Sequence, residues 1–402
     1  MMNVMRRLAR IGLFVLVLLL GTMSALVVGE ARGLALAHLS SAPVHSITAA
    51  AEAGVLYAGL AGGTQAAGIY RSDDGGRSWQ LVSSGPGETI SALVAHPTRA
   101  QVVFAGSPGG PVTSARSLWR SEDGGHTWLP FPFNLPANSE GLVPSVTALA
   151  VDARYPQLLY IGTDGHGVYR FDAGRNGYQP IGGFSLGSAH VKSLTLADDG
   201  QLYAITNEGL FVNQGAEWQR LATPDVPISL ALAAKGRQVM YLGTASTGVY
   251  RSTDAGRSWQ PVNNGLQMVP GAALRVTAIT VDRQDAGRVI AATAYGLGGR
   301  LAPGSVYETW NAGETWIKLA DSTALVTQLT LEDGAVYAAT SQGLVQYGQQ
   351  SSGPEPVNGW SGLQSLASPS SLQLLILVGT VILAGLILVG RREWMARRQT
   401  AK

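Results

Sequence analysis

The sequence predicts an all-β fold, a single β-propeller of seven blades, and two observations carry the prediction. The first is internal repetition. Four segments align on one another: IYRSDDGGRSWQLV from Ile69, LWRSEDGGHTWLPF from Leu118, VYRSTDAGRSWQPV from Val249 and VYETWNAGETWIKL from Val306. The second is spacing. Strand-like runs preceding these segments start near Ile47, Ile90, Val146, Val191, Ile228, Val276 and Val326, at intervals of 37 to 56 residues. That interval suits a four-stranded blade, and self-similarity at such a period marks a repeat architecture.

Within each aligned segment the chemistry of a tight hairpin is legible. Val249-Tyr250 ends one strand, Asp254 is placed to accept backbone N–H bonds across the turn, and Gly256 tolerates positive φ. The Ser252 hydroxyl can bond the same loop, and Trp259 opens the return strand and packs beneath the hairpin. The equivalent sets are Ser72, Asp74, Gly76 and Trp79; Ser121, Asp123, Gly125 and Trp128; and Thr309, Asn311, Gly313 and Trp316. The third and fourth repeats keep their strands but lose this pattern (YRFDAGRNGYQPI, LFVNQGAEWQRL), and the seventh stops after its third strand at Tyr347. A ring must close, so Leu34 to Leu39 (LALAHL) is the candidate outer strand of blade seven.

The repeats therefore span 34–347, and the flanks differ from them in composition. Residues 1–33 join a basic start, MMNVMRRLAR, to a 19-residue apolar run from Ile11 to Gly29, the architecture of a secretion signal or a signal-anchor. Ala35-Leu36-Ala37 offers a small-x-small cleavage site before His38, although cleavage there would cut the closing strand. Residues 348–371 are rich in Gly, Ser, Pro and Gln and read as a flexible linker. Residues 372–389 carry no charge and read as a transmembrane helix, followed by a basic tail at 390–402. Basic residues flank the outer end of each apolar segment, so the expectation is a cell-membrane protein with a cytoplasmic tail and an extracytoplasmic propeller.

Charge and cysteine content exclude several function classes. The formal charge of +2 belongs to the ends; residues 38–371 hold 19 Lys and Arg against 24 Asp and Glu. A nucleic-acid partner is not expected of so acidic a middle. No cysteine is present, which removes disulfides, thiolate metal sites and thiol nucleophiles. The six histidines show no metal-ligand spacing, and no cofactor or metal is expected.

The core Ser/Thr-x-Asp/Asn-x-Gly-x-Ser/Thr-Trp, present four times, resembles the Asp-box or bacterial neuraminidase (BNR) repeat. Residues 34–347 thus resemble the broad Asp-box propeller superfamily, which takes in sialidases, sortilin-type receptors, xyloglucanase-type hydrolases and photosystem II assembly-factor propellers. The resemblance implies that the boxes stabilise hairpins on one face. Insertions and blade connectors on the opposite face would then bind ligands. The long segments of that face are Ser107–Ser117, Asn134–Ser145, Asn263–Arg275 and Ala294–Ser305. Candidate binding residues on it are Arg116, Glu140, Asp164, His166, Arg275, Tyr295 and Arg300.

A sialidase would need three arginines, a Tyr/Glu pair and usually an Arg-Ile-Pro motif. Arg116, Arg275 and Arg300 could supply the first, but no Arg-Ile-Pro occurs. Glu140 and Asp164 are the weak catalytic candidates for a glycoside hydrolase, whose chemistry needs two opposed carboxylates. Xyloglucanase-type enzymes flank a cleft with two propellers, whereas these repeats make one. The resulting expectation is a non-catalytic binding or assembly scaffold for a protein or glycan, with a sialidase-like or xyloglucanase-like hydrolase as the alternative. Arg71, Arg120, Arg170 and Arg251 recur at one repeat position and are read as structural.

Overall fold

The computed structural model describes residues 34–35, 42–60, 68–83, 89–111, 117–131, 141–174, 177–181, 186–215, 217–233 and 239–347. These form seven four-stranded antiparallel sheets, each a blade, with no helix among the described residues. The innermost strands are Val44–Ala49, Ala92–Ala95, Val146–Val151, Val191–Leu196, Pro227–Leu232, Ala273–Val281 and Val326–Glu332. Each blade then runs outward strand by strand, and Val326–Glu332 packs on Val44–Ala49 to close the ring. The apolar segments expected to be a signal and a membrane span, with the linker and tail, lie outside the described residues.

Closure is made by strand exchange. Leu34–Ala35 pairs antiparallel with Gly343–Tyr347, with Leu34 opposite Gln346 and Ala35 opposite Val345. The N-terminal end thus supplies the fourth strand of blade seven, as ring closure required.

Burial follows the alternation of the strands. Apolar side chains of adjacent blades meet in seven clusters, one for each interface between neighbours. Second strands contribute buried aromatics at one repeat position: Tyr57, Phe104, Tyr160, Tyr203, Tyr241 and Tyr337. Blades approach closely enough to require glycine there. A Cβ added to Gly162 would sit 2.7 Å from Val191 Cγ1 of the next blade.

Strand starts differ in detail from the sequence expectation. Blade one begins at Val44, three residues upstream of Ile47, and a bulge follows directly, between Val44 and Ser46. The same register slip recurs in blades three to seven, at Val146/Ala148, Val191/Ser193, Pro227/Ser229, Val276/Ala278 and Val326/Gln328. A bulge leaves one residue unopposed and re-aims its side chain. Those residues, with Ser91 of blade two at the same repeat position, line the axial cavity. Several stitch blades together: Ser91 Oγ donates to Val146 O (2.5 Å), Thr147 Oγ1 to Val191 O (2.6 Å) and Thr327 Oγ1 to Val44 O (3.0 Å).

The four repeat hairpins share one hydrogen-bond set. In blade five Ser252 Oγ accepts from Gly256 N (2.8 Å) and donates to Asp254 Oδ1 (2.8 Å). Asp254 accepts from Ser258 N (2.9 Å) and Ser258 Oγ (2.6 Å). Gly256 has φ 83°, and the preceding Ala255 is also left-handed at 62°, a conformation that costs a residue with a Cβ. Trp79 and Trp128 donate to Gly76 O and Gly125 O within their own hairpins. Trp259 and Trp316 instead reach the preceding blade, donating to Ala222 O (3.1 Å) and Val262 O (2.7 Å).

Two tests follow from this architecture. At the seam, Gln328 accepts from Ile47 N and donates to Ile47 O, both at 3.0 Å. Gln328→Ala strands both backbone groups and should destabilise the ring by about 1–3 kcal/mol, read as a fall in Tm of roughly 2–5 °C. The second test concerns acid. Partial burial pushes the Asp74 and Asp123 carboxyls up, but hydrogen bonds from Ser78 and Thr127 outweigh it and hold both at about 2. Hydrogen bonds from Ser258 hold Asp254 at about 2 as well, against an ordinary 3.8. A depressed carboxyl stabilises the fold above its unfolded value and loses that contribution as pH falls towards the folded value. Thermal stability should therefore drop between about pH 4 and pH 2. Asp254→Asn should shrink that drop while keeping the hairpin, because Asn311 already holds the equivalent turn, accepting from Thr315 N (3.0 Å) and donating to Thr315 Oγ1 (2.9 Å).

Candidate functional site

Turns between second and third strands share an end of the ring with the blade connectors, and the repeat hairpins occupy the other end. On the turn-and-connector face the irregular segments join in pairs. Gly110–Pro111, inside the blade-two insertion, pairs with Leu142–Val143 of the connector to blade three. Gly109 N donates to Ser145 Oγ (3.0 Å) and Val146 N to Ser107 O (3.1 Å). In blade six the second and third strands continue past the ring as one hairpin, Val289–Leu297 with Arg300–Thr309. The connector from blade five folds against it, with Tyr295 Oη donating to Gln267 O (3.1 Å) and Gln267 N to Tyr307 Oη (3.1 Å). Four separate insertions therefore make two built-up corners.

The candidate residues divide between these corners and the axis. Arg300 is exposed at the tip of the blade-six hairpin, flanked by Leu297 (48% exposed) and Leu301 (45%). Arg275 is half-buried on the inner strand of blade six, opposite Ala294. Tyr295 is buried, and burial together with the neighbouring Tyr307 pushes its hydroxyl up to about 12. It stays neutral and shapes the corner from within, which does not suit a phenolate nucleophile. Asp164 and His166 share the blade-three turn. Asp164 Oδ1 contacts His190 Nδ1 of the following connector, and His166 Nδ1 is enclosed without a partner. Arg116 and Glu140 lie outside the described residues.

Sequence reasoning missed two residues that organise this face. His190 joins Asp164 across 26 positions and carries no local signal. Asp225 accepts from the backbone N and hydroxyl of both Ser246 and Thr247 at 2.7–3.1 Å, tying one connector to the blade-five turn. Burial raises the Asp225 pKa, but the bonds from Ser246, Val226 and Thr247 outweigh it and lower the value overall. That carboxylate is committed to structure.

At the axis lies a cavity of about 330 Å³ ringed by all seven inner strands. Among the described residues, His45 and Lys192 are its ionisable lining residues; the rest are hydroxyl, amide and apolar side chains, with no carboxylate. Among the described residues no group of three His, Asp or Glu is placed to hold a metal ion.

Comparison with known proteins places this geometry among propellers. No family model matches the chain. The oligoxyloglucan-reducing end-specific xyloglucanase of Emericella nidulans is 26% identical over 243 residues, 53% of this chain and 27% of that enzyme. The GH74 xyloglucanase from Xanthomonas campestris superposes with a TM-score of 0.58 at 17% identity, over 81% of this chain and 54% of its own. YCF48 from Cyanidioschyzon merolae gives 0.53 at 14% identity, over 76% of this chain and 95% of its own; YCF48 is also solved bound to a D1 peptide, at 0.54 and 13%. The chain spans about half or less of the xyloglucanase-type proteins it matches. These likenesses establish a seven-bladed β-propeller fold, shared with glycoside hydrolases and with the peptide-bound YCF48 alike.

Proposed function

We propose that this protein is a non-catalytic Asp-box propeller, tethered at the cell membrane with its propeller outside, that binds a protein partner or glycan through the turn-and-connector face. One observation carries the reading: that face presents an apolar corner with a cation at blade six, while among the described residues no carboxylate lines its axial cavity. Met268 (61% exposed), Leu297 and Leu301 expose apolar surface beside Arg300 at the blade-six corner. Apolar surface rimmed by polar residues on a rigid scaffold suits partner contact. Among the described acids of this face, Asp164 is engaged by His190, Asp225 by four donors and Asp321 by Ser305 and Lys318, while Glu208 is exposed on the blade-four turn.

A second reading is a glycoside hydrolase, favoured by the sequence similarity to a xyloglucanase. On that reading Asp164 and Glu140 would form the acid pair, and the missing half of the cleft would come from another propeller. The two readings separate in one assay. Full-length protein incubated with xyloglucan oligosaccharides and aryl-glycosides should release no sugar above the buffer rate. Turnover that disappears in Asp164→Asn or Glu140→Gln would establish the hydrolase instead.

The tether has its own test. Full-length protein should stay with the membrane fraction after an alkaline carbonate wash, and truncation at residue 371 should release it or leave it held by the N-terminal segment alone. Recovery of the intact chain in the soluble fraction would remove the anchor from the account.

A further inference from the structure

Each repeat tryptophan packs against the preceding blade, and five of the seven interfaces hold one. Trp79 sits against Tyr337 and Leu344 of blade seven, and Trp128 against Tyr57 and Val82 of blade one. Trp218, Trp259 and Trp316 donate their indole N–H to Ile181 O (3.0 Å), Ala222 O (3.1 Å) and Val262 O (2.7 Å) of the blade before. Between blades two and three the indole is replaced by a smaller phenol ring, Tyr178, packed against the core of that interface. Blade three carries Tyr178 at the tryptophan position, Phe171 in place of the hairpin serine and Ala173 in place of the aspartate. Phe104, Phe131 and Phe171 fill part of the gap, edge to face, with ring centroids 5.6 and 4.6 Å apart. The remainder is a cavity of about 470 Å³ lined by Leu129, Pro130, Phe131, Phe171, Thr127 and Arg120, with Asp123 and Glu122 at its polar side.

We propose that this cavity is a socket for an aromatic side chain of a protein partner, best a tryptophan, entering at the interface whose own tryptophan position holds only Tyr178. The fold itself supplies the template for the occupant. Phe131 stands three residues after Trp128, as Val262 stands three after Trp259 and Ile181 three after Tyr178. Its carbonyl is therefore the acceptor that an indole N–H would use, by analogy with Trp316 and Trp218. Arg120, ion-paired with Glu122 (2.5 Å), adds a guanidinium that lies 5.8 Å from the Phe104 ring. Cation and aromatic walls favour another π-face. Leu129, 69% exposed at the rim, gives the approaching chain apolar surface to cover. Buried aromatic anchors in such pockets dominate protein interfaces. The socket stands beside the hairpin end of the ring, so it is independent of what the turn-and-connector face binds.

The test is calorimetric titration of N-acetyl-tryptophanamide into the full chain, with N-acetyl-leucinamide as comparison. Saturable binding is expected in roughly the millimolar range, with the tryptophan compound favoured by about threefold or more. Tyr178→Trp restores an internal indole at the repeat position and should weaken the probe about tenfold while holding or raising Tm. Leu129→Ser, a change at an exposed side chain that leaves the core intact, should weaken it severalfold. No saturable binding to the unsubstituted protein overturns the proposal. Unchanged affinity in Leu129→Ser, or in a folded Tyr178→Trp protein, overturns it equally, because the probe then sits elsewhere.

Discussion

Closure of the ring is the constraint on which the rest depends. Blade seven ends after three strands, and its edge is covered by Leu34–Ala35 from the other end of the repeats. The same seam carries the Gln328 clamp on Ile47, the Thr327 bond to Val44 O and a bond from Gly54 N to Glu332 Oε1 (2.9 Å). Tyr337 Oη also donates across it to Gly75 O. Closure covers the outer edge of the third strand of blade seven, which would otherwise be open to pairing with another chain. With no cysteine in the chain, no disulfide contributes, and these contacts and the seven interblade cores hold the ring.

Rigidity at the hairpin end frees the other end for variation. A buried Ser or Thr hydroxyl and an Asp or Asn side chain lock the four repeat hairpins into one geometry, and their tryptophans pack into the interfaces. The turn-and-connector end shares a lighter pattern, a buried threonine hydroxyl donating to a glycine carbonyl of the same turn at Thr163, Thr244 and Thr340 (2.7, 2.7 and 2.6 Å). Its insertions differ in every blade and combine into two corners, at blades two and three and at blades five and six. A scaffold of this kind can carry hydrolysis in one lineage and recognition in another, so the fold alone selects neither.

Much of the architecture was legible in the sequence, because repetition amplifies weak local signals. Ser252, Asp254, Gly256 and Trp259 could be assigned roles from one hairpin, and three further copies fixed the reading. The closing strand followed from counting the strands of blade seven. Features that depend on packing between blades left no local mark. The bulges near the axis were not foreseen, blade one starts at Val44 and not Ile47, and Trp259 and Trp316 bond the neighbouring blade. At the candidate site the insertions were visible as irregular segments, but their pairing was not. Asp164 could be named without His190, and Tyr295 could be placed near the face without its burial. Sequence distance hides such contacts, since 26 residues separate the first pair.

The account turns on the carboxylates of the turn-and-connector face. A crystal structure of the propeller soaked with a xyloglucan oligosaccharide would measure the separation of the Glu140 and Asp164 carboxyl groups directly. The account expects no such pair facing one another across the sugar and Asp164 still held by His190. Two carboxyl groups about 5–10 Å apart on either side of a glycosidic bond would contradict it and identify a hydrolase.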